Sequence, residues 1–208
     1  MKKIISIMMA VTWMLLPSFT AFAASSNEIS DTAPTITLLA TITDDITGEK
    51  VSVPAKIITS QVSKELGTEF TEEATAIFSF SQPNIKKQYS DTSITETDVK
   101  ATVKISYDRS GDKIRVNSVS GGWVPSNSLL RVYNREVDYG DGAPFLSSHS
   151  AHQYPTSNSF NYSTGWGWVT YYPASADAMS GARAFTSASV EISGMTPHTI
   201  EVFVTATH

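Results

Sequence analysis

From Val99 to Tyr107 every second residue is apolar: Val99, Ala101, Val103, Ile105 and Tyr107. The residues between them, Lys100, Thr102, Lys104 and Ser106, are polar. A period of two belongs to a strand with one face buried and the other wet. The pattern recurs along the chain. Residues 35–43 put Ile36, Leu38, Ala40 and Ile42 on one face, with Thr35, Thr37, Leu39, Thr41 and Thr43 opposite. Asp44, Asp45 and Gly48 then supply turn chemistry, and 50–59 resumes as a strand. Pro54 within that run cannot donate to a ladder, so it belongs at an edge or a bulge.

Further strands are expected at 74–81, 98–107, 113–120, 129–139, 159–163, 165–172, 184–193 and 199–207. Residues 108–112, with Gly111, close a hairpin. Gly121 and Gly122 are expected to end a strand just before Trp123. In 129–139 the alternation places Leu129, Arg131, Tyr133, Arg135, Val137 and Tyr139 on one side. Residues 61–71 are ambiguous, because Val62, Leu66 and Phe70 are four apart and allow a short amphipathic helix. Residues 82–97 and 138–157 read as loops. The strands do not alternate with long helices, which argues against a parallel α/β fold. The expectation is all-β: one antiparallel β-sandwich domain of about nine strands over 24–208.

That domain follows a segment with the marks of an export signal. Lys2 and Lys3 precede an apolar stretch over 4–16, Pro17 ends it, and Ala21-Phe22-Ala23 has the small-x-small form a signal peptidase accepts. The stretch is short for a bilayer span. Cleavage after Ala23 leaves 24–208 with no membrane anchor, so the expected location is outside a bacterial cell, more in keeping with a Gram-positive one.

Composition narrows the chemistry. Of the 208 residues, 41% are hydrophobic, enough to build a core. The formal net charge of −5 argues against nucleic acid as a partner, since phosphate binding needs a basic face. The absence of Cys removes disulfides, thiol catalysis and thiolate-held metals.

One set of residues carries a resemblance. Ser120-Gly121-Gly122-Trp123, Val132-Tyr133-Asn134-Arg135, Val137-Asp138-Tyr139-Gly140, Ser159-Phe160-Asn161-Tyr162 and Gly165-Trp166 together resemble an uncharacterised family of small secreted β-rich proteins of Gram-positive bacteria. The resemblance spans roughly the second half of the exported chain. It implies the fold and the secretion, and brings no catalytic residues with it.

Candidate chemistry is sparse. His149 and His152 lie near Asp138 and Asp141, and two imidazoles with a carboxylate can hold zinc. Residues three apart face opposite ways on a strand, however, so the two histidines could share a metal only in a loop or helical turn. Asp138-Tyr139-Gly140-Asp141-Gly142 could offer calcium its oxygens, but it lacks the EF-hand spacing, and a Gly/Asp turn after a long strand explains it without a metal. Asp44 with Asp45 and Glu72 with Glu73 are sequence neighbours whose side chains diverge, so neither makes a glycosidase pair. A Gly-x-Ser-x-Gly elbow and a phosphate cradle are both missing.

The expectation is therefore no catalytic residue, no metal and no cofactor. The most suggestive feature is Gly165-Trp166-Gly167-Trp168-Val169-Thr170-Tyr171-Tyr172. If extended, it sets Trp166 and Trp168 on one side about 6.6 Å apart, with Tyr172 beyond. Such a row can stack on sugar faces, or it can be core. The leading expectation is a non-enzymatic secreted binding protein for polysaccharide, cell-envelope material or another protein, using Trp166, Trp168 and Tyr172. The alternatives are a secreted antibacterial or toxin-like protein and a metal-dependent hydrolase at His149 and His152.

Overall fold

The structure, a computed structural model, describes residues 34–80, 97–142, 148–170, 181–192 and 195–207. Twelve strands occur among them: β1 Thr35–Asp44, β2 Lys50–Ser52, β3 Ala55–Lys64, β4 Gly67–Ser79, β5 Asp98–Ser110, β6 Lys113–Pro125, β7 Leu130–Gly140, β8 Ser150–Gln153, β9 Ser159–Ser163, β10 Val169–Thr170, β11 Ala182–Ile192 and β12 His198–Thr207. They form two antiparallel sheets. The first has the order β2-β1-β12-β11-β7-β8, and the second β10-β6-β5-β4-β3, with β9 also paired to β6.

The inner faces close on one core. Val99, Ala101, Val103, Ile105 and Tyr107 of β5 are all buried, as the alternation requires, and meet Ile200, Val202, Val204 and Ala206 of β12 and Ala184 and Val190 of β11 within one cluster. The fold is the expected all-β sandwich, built from twelve strands rather than about nine.

Several local expectations are corrected. Residues 61–71 form no helix: β3 and β4 make a hairpin closed by Glu65 and Leu66, in ten-pair register from Ala55↔Ala76 to Lys64↔Gly67. Val62 and Leu66 are exposed while Phe70 is buried, so the spacing of four describes no common face. Pro54 lies between β2 and β3, where the chain leaves the first sheet for the second. A missing donor costs nothing at such a break.

Gly121 and Gly122 do not end β6, which runs on through the buried Trp123 to Pro125. The glycines answer to crowding on both sides. A Cβ on Gly121 would lie 2.1 Å from the Thr102 carbonyl oxygen of β5, and one on Gly122 would lie 2.3 Å from the Asn158 carbonyl oxygen just before β9.

The single face expected over 129–139 is broken as well. Leu130 and Val132 point inward, then Val137 and Tyr139 do. Between them the β7–β11 register slips, and Asn134 adopts a φ of 47°. An extra residue in one strand inverts the phase of all that follow. Within the expected loop 138–157, β8 pairs with the end of β7. Glu72 and Glu73 sit mid-strand in β4 on opposite faces, Glu72 inward and fully buried. Residues 1–23, the expected export signal, and 82–96 of the expected polar connection lie outside the described residues.

Candidate functional site

Where β7 of the first sheet faces β9 of the second, the seam is lined by rings. Phe160 and Tyr162 are two apart on β9, so one face carries both. Phe160 packs on Trp123 with centroids 5.5 Å apart, and on Tyr162 at 5.9 Å. Tyr162 stacks on Tyr139 of β7 at 6.1 Å, and Tyr139 on Trp166 at 5.5 Å. Trp166 in turn stacks on His149 at 5.1 Å. The six rings form one contiguous ladder that starts in the core at Trp123 and ends at the half-exposed Trp166 and His149. Burial first, and the neighbouring Tyr139 second, raise the Tyr162 phenol above its ordinary value. The ladder joins the two sheets, because Tyr139 belongs to one and Phe160 and Tyr162 to the other.

His149 is fixed from its far side. The carboxylate of Asp141 is wholly buried; it accepts the His149 backbone N–H at 2.7 Å and lies 3.0 Å from His149 Nδ1. Arg183 of β11 donates through Nη1 to the carbonyls of Asp141 and Gly142, at 3.2 Å each. Burial lowers the Arg183 pKa, against the pull of the Asp141 charge. Gly140 leaves the room this needs, since a Cβ there would meet Arg183 Nη2 at 2.7 Å.

A second pair sits on β7 and β8 themselves. His152 is the cross-strand partner of Asp138, with Nδ1 2.5 Å from Oδ1, and its ring meets Tyr154 edge-on at 4.4 Å. The four residues considered as metal ligands thus separate into Asp141–His149 and Asp138–His152. Alternation along β8 drives this, because His152 lies in the strand three residues after His149. Among the described residues no group of three His, Asp or Glu is placed to hold a metal ion.

Trp166 and Trp168 do not form the even row expected of an extended segment. Residues 164–168 lie outside any strand, and among the described residues of this segment Val169–Thr170 alone pairs, with β6. Both indoles are half-buried, but in different company. Trp166 belongs to the ladder, whereas Trp168 carries the Arg115 guanidinium over its ring at 4.9 Å. Arg115 also binds Asp108, itself bound by Lys64 at 3.1 Å. Burial alone would lift the Asp108 carboxyl, yet the bonds from Arg115 and Lys64 hold it below its usual range. Tyr172 lies outside the described residues.

The outer face of the first sheet adds two shallow hollows. One, of about 520 Å³, includes Asp138, His152, Phe185 and Phe203 in its lining; the other, of about 480 Å³, includes Asn134, Glu136, Tyr154 and Glu201. Both mix aromatic rings with carboxylates. Sequence reading missed Tyr139, Tyr162, Asp141 and Arg183 as members of one assembly. The two-residue spacing of Phe160 and Tyr162 was the one local signal for it.

The fold and this seam define an antiparallel β-sandwich with a ring-lined rim. The chain matches no family model, no curated protein and no solved structure.

Proposed function

We propose that the chain is a non-enzymatic exported binding protein that holds polysaccharide or other envelope material at the rim built around Trp166, with Trp168 as a second contact. The observation that supports this reading is the outer end of the ring ladder. Trp166 is half-exposed, yet it is held by stacking on Tyr139 and His149. A ring already fixed in place loses little freedom when a ligand packs against it. Sugar C–H faces stack on indole, and their hydroxyls need paired acceptors and donors nearby. The ring of His149, stacked on Trp166 and oriented by the buried Asp141, sets one such polar group beside the indole. The basic N-terminus, the apolar stretch after it and Ala21-Phe22-Ala23 support export, and the resemblance to small secreted proteins agrees with it.

Retention of the purified protein on insoluble glycan and cell-wall fractions tests the reading. Wild type should be retained, Trp168→Ala should elute earlier, and Trp166→Leu earlier still, each with an unchanged far-UV spectrum. Equal retention of all three, or none for wild type on any fraction, would sink it.

A further inference from the structure

The edges of the two sheets are unequal. The first sheet ends in β2 and β8, of three and four residues, and the second ends on one side in β9 and in β10, of two residues. The other side of the second sheet ends in β3, with ten residues. Its register with β4 is unbroken over all ten pairs, so no bulge twists it away. Among the described residues no strand pairs with its free side.

An exposed edge is a row of unpaired N–H and C=O groups, and proteins ordinarily blunt it with charge, proline or a bulge. Residues 57–63, Ile-Ile-Thr-Ser-Gln-Val-Ser, carry none of these. Lysine stands only at the two ends, Lys56 and Lys64. On the outward face Ile58 is 66% and Val62 59% exposed, an uncommon setting for two branched apolar side chains on one strand.

We infer that β3 pairs antiparallel with β3 of a second copy of this chain, about a two-fold axis through Ser60. The sequence is self-complementary about that residue and not about its neighbours. Centred on Ser60, Ile58 faces Val62 of the other copy, and the pair occurs twice. Centred on Thr59, Val62 would face Lys56; centred on Gln61, Ile58 would face Lys64. Cross-strand apolar pairs of this kind are a unit of sheet stabilisation. Lys56 then faces Lys64 of the other copy. The Lys64 ammonium is already met by Glu69 at 2.9 Å and Asp108 at 3.1 Å, which relieves that contact. The two-fold is closed, so pairing consumes the edge and leaves no open end for fibres.

The test uses the lack of native cysteine. Purified wild type should sediment as a dimer, and Ser60→Lys, which sets two ammonium groups face to face on the axis, as a folded monomer. Under mild oxidation Ser60→Cys should form a disulfide-linked dimer in high yield, because only residue 60 faces itself; Ser63→Cys should not. A wild-type monomer at every concentration would overturn the inference, as would a dimer untouched by Ser60→Lys. Cross-linking no stronger at 60 than at 63 would overturn it too.

Discussion

Glu72 is the residue most at odds with its surroundings. It occupies an inward position of β4 between the buried Phe70 and Ala74, and none of its surface is exposed. Burial raises its pKa, while hydrogen bonds from the Thr59 and Tyr107 hydroxyls pull the other way. A carboxyl whose pKa is raised by folding contributes fully below its ordinary value near 4.5, and that contribution is lost as pH rises through the folded value. Glu69 and Asp108, held low by Lys64 and Arg115, behave oppositely: their contribution is present above 4.5 and 3.8 and is lost as pH falls. Glu72→Gln should therefore gain on wild type as pH climbs above about 4.5, and then level off. Denaturant midpoints measured across pH read this, and parallel profiles would refute it. On β5 the same inside–outside contrast is purely apolar. Ile105 is fully buried, so Ile105→Ala should cost about 2–5 kcal/mol. Thr102 faces outward, its hydroxyl 3.2 Å from that of Thr75, so Thr102→Ala should cost less than about 1 kcal/mol.

Among the elements, β5 was legible because its alternation runs unbroken through the buried stretch. The pattern of β7 was not, since the irregularity at Asn134 inverts the phase and a single strand carries no mark of where its partner slips. Strands of two to four residues, β2, β8 and β10, hold too few positions for any period to show. The Asp138–His152 pair was hidden for the same reason, as it exists only through the pairing of β7 with β8. The ladder was not legible: the sequence singles out Trp166 in a row with Trp168 and Tyr172, and Tyr139 joins Trp166 to Tyr162 and Phe160 only when the sheets close. Gly121 is the sharpest test at this scale. Its Cβ space is filled by the Thr102 carbonyl and by Phe160 Cζ at 2.9 Å, so Gly121→Ala must push β5 and β9 apart. The expected loss is about 1–3 kcal/mol or more. Near-UV circular dichroism should fall with it as Phe160 and Trp123 separate. A variant as stable as wild type would mean that the glycine pair has no packing role.

For the whole molecule, export and the rim reading meet in the tryptophans. The sequence holds four, and Trp13 lies in the segment expected to be removed. Protein recovered from the medium should begin at Ala24 and keep Trp123, Trp166 and Trp168; an intact mass that retains Met1 to Ala23 would reject the export reading. Those three indoles differ in access. Trp123 is 1% exposed in the core, while Trp166 and Trp168 are half-buried at the surface. Acrylamide should therefore quench part of the emission and leave a blue-shifted remainder from Trp123. Trp166→Phe and Trp168→Phe should each remove some of the quenchable part and none of the remainder. A glycan that binds at the rim must cover Trp166 first, so saturating ligand should protect wild type from quenching and leave Trp166→Phe largely unprotected. Stacking on one such ring is worth about 1–3 kcal/mol by analogy with nucleic-acid bases, roughly a tenfold to hundredfold change in affinity. Protection of equal size in wild type and Trp166→Phe would move the ligand away from the ladder, and the two hollows on the outer face of the first sheet would then be the place to look.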